Sequence, residues 1–187
     1  MEFLDFCYTT KWIDYEFIDQ SILDTQIAEF NNGKEKPLEE FRSNLFDKWL
    51  SSHKKVTNKQ IEQFLELALE DDAKVMAGNA VRKLFTSDGI TDEQFGFIAE
   101  RLPKFGDWTL KLITRETLAK RLKSEELTEE LFDACVAYKK EFEDSRLILE
   151  IIRTSENIEL LSKFENNGSG KQIRKLAAKR IKRLKAS

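Results

Sequence analysis

The stretch "SDGIT" at 87–91 returns as "SEELT" at 124–128 and, more loosely, as "SENIE" at 155–159, intervals of 37 and 31 residues. A polar segment recurring at such spacing marks the border between like units. In "SDGITDEQF", Thr91 is placed as a helix N-cap, Gln94 stands three residues on as the partner of a capping box, and Ile90 and Phe95 can close a hydrophobic staple. "KKVTNKQI" repeats this grammar with Thr57, Gln60, Val56 and Ile61. "EELTEELF" repeats it with Thr128, Leu127 and Phe132, while Leu131 replaces the polar residue. The pattern predicts helices that begin within about two residues of Thr57, Thr91 and Thr128.

Each start is followed by a helix-periodic apolar segment, such as Ile61, Phe64, Leu65 and Ala68, and then by an acidic turn. The turns read "LEDDAKV", "FGDWTL" and "FEDSRL", which places Asp72, Asp107 and Asp144 at spacings of 35 and 37 as N-caps of a second helix. The second helices carry stripes of their own: Val75, Ala80, Val81, Leu84 and Phe85, then Leu110, Ile113, Leu118 and Leu122, and finally Ile173, Leu176, Ala177, Ile181 and Leu184. "NNGKEKPLEEFRSNLFDKWL" from 31 lies without gaps on "NNGSGKQIRKLAAKRIKRL" from 166, so the first and last units share a turn, and Gly33 and Gly168 read as left-handed helix stops. The expectation is one domain over 1–187 made of five helical hairpins, 1–52, 53–88, 89–125, 126–156 and 157–187, with the helix layout of 1–36 left open.

The second helices, with "DxxV" or "DxxL" at their starts and "IRKLAAKRI" in the last, resemble HEAT repeats over residues 56–185, and over the first 55 residues only through their second helix. HEAT units usually carry a basic residue just after that Val or Leu; here the position holds Met76, Lys111, Ile148 and Arg174, which leaves the subfamily unassigned. Tetratricopeptide units are the nearest rival, but their Trp, Gly-Tyr and Pro pattern is missing. The resemblance implies an all-α fold, a right-handed α-α superhelix whose second helices line a concave face.

The net charge of −3 hides a division. Over the first helices of units two to five (57–71, 91–104, 128–143, 159–165) there are 14 acids and 6 bases; over the second helices (72–86, 107–123, 144–154, 171–185) there are 18 bases and 5 acids. Given the resemblance, the concave face is basic and the back acidic, and a groove of one sign attracts an oppositely charged partner. The residues expected to meet it are Lys74, Arg82, Lys111, Arg115, Arg146, Arg153, Arg174, Lys175 and Lys182. Basic residues near helix C-termini and a polar terminal repeat would produce part of the same pattern without any partner.

Catalytic chemistry is not evident. His53 is the one histidine and lies in the polar stretch "SSHKK", expected at the surface, and no Cys or His cluster suggests a metal. Cys7 and Cys135 have apolar neighbours and read as buried thiols. "GSGK" at 168–171 lacks the first Gly and the final Ser or Thr of a phosphate loop. Trp108, Asp107 and Arg115 invite comparison with HEAT-like DNA glycosylases, which use Trp, Asp and Arg on a concave face, but Asp107 is already explained as a cap and the wider Trp-rich motifs are missing. No apolar run reaches the length of a membrane span and the N-terminal "MEFLDFCYTT" is acidic, so the expectation is a cytoplasmic monomer without cofactors. The predicted function is a non-enzymatic module that holds an acidic protein partner. The alternatives are nucleic-acid binding through the same face, and an inhibitor or immunity-type protein that blocks a basic enzyme with its acidic back.

Overall fold

A computed structural model describes residues 6–32, 38–167 and 170–186. Gly33 and Gly168 lie outside them. The described residues are helical, without strands, and divide into two compact units, Met1–Asp107 and Trp108–Ser187. No helix among them is long and apolar enough to cross a membrane.

The first unit contains α1 (Thr10–Asp14), α2 (Gln20–Asn31), α3 (Leu38–Ser52), α4 (Asn58–Glu70), α5 (Lys74–Phe85) and α6 (Asp92–Ala99), then a 3-10 turn, Leu102–Phe105. The starts of α4 and α6 follow the sequence closely, with Thr57 and Thr91 accepting from the amides of Gln60 and Gln94 and both capping boxes closed. The predicted first helix of the third hairpin, 91–104, is instead broken in two, because Pro103 has no N–H for an α-helical ladder. Consecutive starts also touch. Gln94 Nε2 donates to the Val56 carbonyl at 2.5 Å, and a Cβ at Gly89 would meet the Lys54 carbonyl oxygen at 2.5 Å, so the glycine of "SDGIT" is required by a close approach between the segments that precede α4 and α6.

α5 packs on α3, α4 and α6. Trp12, Phe17, Phe46, Trp49 and Phe64 form an aromatic cluster with ring centroids 4.8–5.9 Å apart, so the residues before α3 belong to this core. Beside it, the buried Arg42 guanidinium on α3 donates from Nε and Nη2 to the two oxygens of buried Asp71, each at 3.0 Å, and from Nη1 to the Phe6 carbonyl at 3.0 Å. Asp71 Oδ1 also accepts from the Ala73 amide at 2.8 Å. Asp72 was the expected cap of α5; the residue that holds this corner is its neighbour Asp71, and Asp72 is exposed. Arg42, far off in sequence, decides between them. Cys7, expected to be buried, is exposed, because its left-handed backbone (φ 58°) turns it out between buried Phe6 and Tyr8.

The second unit contains α7 (Trp108–Ser124), α8 (Glu129–Phe142), α9 (Arg146–Thr154), α10 (Ile158–Asn167) and α11 (Lys171–Leu184). Thr128 caps α8 by accepting from the Leu131 amide, without a capping box, as the apolar residue at 131 requires. α7 begins directly after Asp107. The second helices adjoin in the order α7, α9, α11. The first helices meet through Phe132 and Phe164, with ring centroids 4.6 Å apart, and through a Glu129–Lys163 ion pair. Between these two layers lies a core that includes Leu118, Leu131, Cys135, Ile148, Ile151, Leu161 and Ile173. Three stripe positions are overturned: Val75 is 81% exposed, Leu110 57% and Leu176 37%, because Val75 precedes Ala77, the first buried residue of α5, α7 buries Thr109 and Leu112 in place of Leu110 and Ile113, and one flank of α11 is uncovered.

Two substitutions test these cores. Arg42→Ala leaves the Asp71 carboxylate buried without a counter-charge and should cost about 3–5 kcal/mol. Leu131→Ala should cost about 2–5 kcal/mol. Chemical denaturation measures both, and an unchanged midpoint for either variant would remove its residue from the core.

Candidate functional site

The predicted basic residues separate once their partners are seen. Lys111 Nζ donates to the Phe142 carbonyl at the end of α8 at 3.0 Å, where a cation satisfies a helix C-terminus. Arg115 is half-buried against Glu116. Arg146 is spent on Asp144, whose carboxylate accepts from Arg146 Nε and from the Arg146 amide at 3.1 Å, and from the buried Tyr138 hydroxyl at 3.1 Å. Asp144 therefore fixes the α8–α9 corner, although it sits one residue before the N-cap position, which is Ser145. In the first unit Lys74 reaches back to the Leu69 carbonyl, and Arg82 bonds Asn79, both on α5.

Arg153 stands apart, exposed near the end of α9 and paired with Glu150 at 3.0 Å. It is the one predicted residue that lines a groove between α9 and α11, a volume of about 380 Å³. The other cations there are Lys179, Arg180 and Arg183, and the apolar surface comes from Leu149, Ile152 and Leu176, with Gln172 at one end. Arg180 Nε donates to the Ser155 carbonyl just past α9 at 3.2 Å. Arg174, Lys175 and Lys182 are exposed on α11 but do not line the groove.

The face of α11 explains which bases were missed. Ile173, Ala177 and Ile181 are buried in the core, while Gln172, Leu176, Lys179, Arg180 and Arg183 follow one another at helical spacing along the next flank. Leu176, which the sequence places in the core stripe, belongs instead to this exposed flank. Over α7, α9 and α11 there are 14 Lys or Arg against 2 acids, and over α8 and α10 there are 6 acids against 3 Lys or Arg, so the two layers of this unit carry opposite charge.

A second hollow of about 280 Å³ lies between the C-terminal ends of α7 and α9, where Leu122, Leu127 and Ile151 line it together with Glu125, Glu126 and Glu156. The buried Cys135 thiol is pushed up to about 11 by burial and is unreactive as a nucleophile at neutral pH. His53 stacks on Trp49, with centroids 4.3 Å apart, and its Nδ1 lies 2.8 Å from the Trp49 carbonyl oxygen. Among the described residues no group of three His, Cys, Asp or Glu is placed to hold a metal ion. No protein-family model, curated protein or solved structure matches the chain.

The corner beneath α9 has a pH signature. Arg146 holds the Asp144 carboxyl well below the usual carboxylate range, against the opposing effect of burial, with help from the Arg146 amide and the Tyr138 hydroxyl. A depressed folded pKa stabilises the unit above the unfolded value of about 3.9 and loses that contribution as the pH falls below it. The denaturation midpoint should drop between pH 6 and pH 3, and Asp144→Asn should reduce that drop; an equal drop in the variant would mean the corner does not contribute.

Proposed function

We propose that this chain is a non-enzymatic binding module whose second-helix layer holds an acidic protein segment, with the hairpins of Trp108–Ser187 stacked in the manner of a HEAT-like α-solenoid. The observation that carries this reading is the groove between α9 and α11, which combines apolar surface from Leu149, Ile152 and Leu176 with Arg153, Lys179, Arg180 and Arg183. Apolar surface beside cations suits a partner that brings both carboxylates and aliphatic side chains. Adjoining second helices support the stacking, since each helix pair needs its neighbour to cover its faces.

Nucleic acid would use the same cations but has a charge at every phosphate. The groove has apolar surface but no aromatic side chain for base stacking, and a polyanion spreading from it across the second helices would come upon Glu125, Glu126 and Glu156 at the ends of α7 and α9. A protein segment can confine its charge to the groove. The acidic layer of α8 and α10, where Glu129 pairs with Lys163, lines no part of this groove.

Arg153, Lys179 and Arg183 reversed together to Glu should reduce enrichment of acidic amphipathic peptides from a displayed library by about tenfold or more. Reversal of Glu130, Asp133 and Glu159 to Lys on the other layer should leave enrichment unchanged. Gel shifts with random single- and double-stranded DNA and RNA at about 50 and 200 mM salt supply the rival outcome: tight binding that collapses with salt identifies a nucleic-acid module. Equal loss from both sets of reversals removes the groove from function.

A further inference from the structure

The groove has a direction as well as a composition. The Arg180–Ser155 hydrogen bond sets the C-terminal half of α11 beside the end of α9. Gln172 and Leu176 then lie toward Leu149, so the two helices run the same way. The cations Arg153, Lys179, Arg180 and Arg183 gather toward the C-terminal end, while Leu149, Leu176 and Gln172 occupy the other. From Leu176 to Arg183 is about 10 Å, two turns of helix.

Both walls are helices whose backbone groups are already bonded within the helix, so an extended segment laid between them would find no ladder for its own amides. A helix satisfies its amides internally. The aligned C-termini of α9 and α11 present negative partial charge, which favours the positive end of an incoming helix, and carboxylates in a first turn stabilise the helix that carries them. Beside that end, where α7 and α9 finish, Glu125, Glu126 and Glu156 disfavour an acidic stretch that strays from the groove.

Resting on the binding reading above, we propose that the segment held in this groove is a single amphipathic helix lying antiparallel to α9 and α11, its first-turn carboxylates against Arg153, Arg180 and Arg183 and an aliphatic side chain about two turns later against Leu149 and Leu176.

The test uses the full chain and three fluorescein-labelled peptides of matched length and charge, read by fluorescence anisotropy. The first carries Glu in its first turn and Leu about two turns on; the second has the reverse order; the third is the first with a central Pro that breaks the helix. The first should bind about tenfold more tightly than either of the others, and Arg153→Glu should erase its advantage over the second. If the second binds as well or better and Arg153→Glu weakens both, the groove is a binding site but the orientation is wrong. Equal binding by the Pro peptide overturns the helical occupant. Binding by none of the three overturns this inference together with the reading on which it rests.

Discussion

A carboxylate buried at the turn between two helices is the constraint on which both units depend. The start of a second helix leaves backbone N–H groups without partners, and burying such groups unpaired is expensive. Asp71 and Asp144 answer this in the same way, each accepting from the amide two residues on, at Ala73 and Arg146. Each then needs a cation, because a buried charge without one would not persist. Asp144 takes its own from Arg146, two residues away, whereas Asp71 takes Arg42 from another helix, which brings the Phe6 carbonyl with it. The first corner is thus welded to the N-terminal segment and the second is self-contained.

That difference explains what could be read from the sequence. Thr57, Thr91 and Thr128 were legible as helix starts because an N-cap and its partner lie three residues apart, and the apolar residue at 131 announced that the third start would lack a capping box. The choice of Asp71 over Asp72 was not, since the deciding group stands 29 residues earlier. Had equal spacing been weighed instead, Asp71, Asp107 and Asp144 stand 36 and 37 apart. The first hairpin was opaque for a related reason: its aromatic side chains Trp12, Phe17, Phe46 and Trp49 come from α1, the loop after it and α3, with no single period to follow.

The groove was legible in its sign and not in its register. Seven Lys or Arg and no acid along α11 make every flank look alike, so charge alone could not separate Lys179 and Arg183, which line the groove, from Lys175 and Lys182, which do not. The rotation of α11, fixed by buried Ile173, Ala177 and Ile181, made the separation. Arg115 and Arg146 show the converse, bases whose positions suit a binding face but whose charge is engaged by an acid that is itself largely buried, unlike the exposed Glu150 beside Arg153.

The bond from Gln94 to the Val56 carbonyl, with Gly89 pressed on the Lys54 carbonyl, also orders events in time. During synthesis the Val56 carbonyl leaves the ribosome 38 residues ahead of the Gln94 side-chain amide that will use it. The pair α4 and α5 is thus made before α6, whose start is then joined to the residues ahead of α4. A chain built this way grows by accretion onto an existing edge, and a lesion in the loop at 54–56 is felt first in the helix that has yet to arrive.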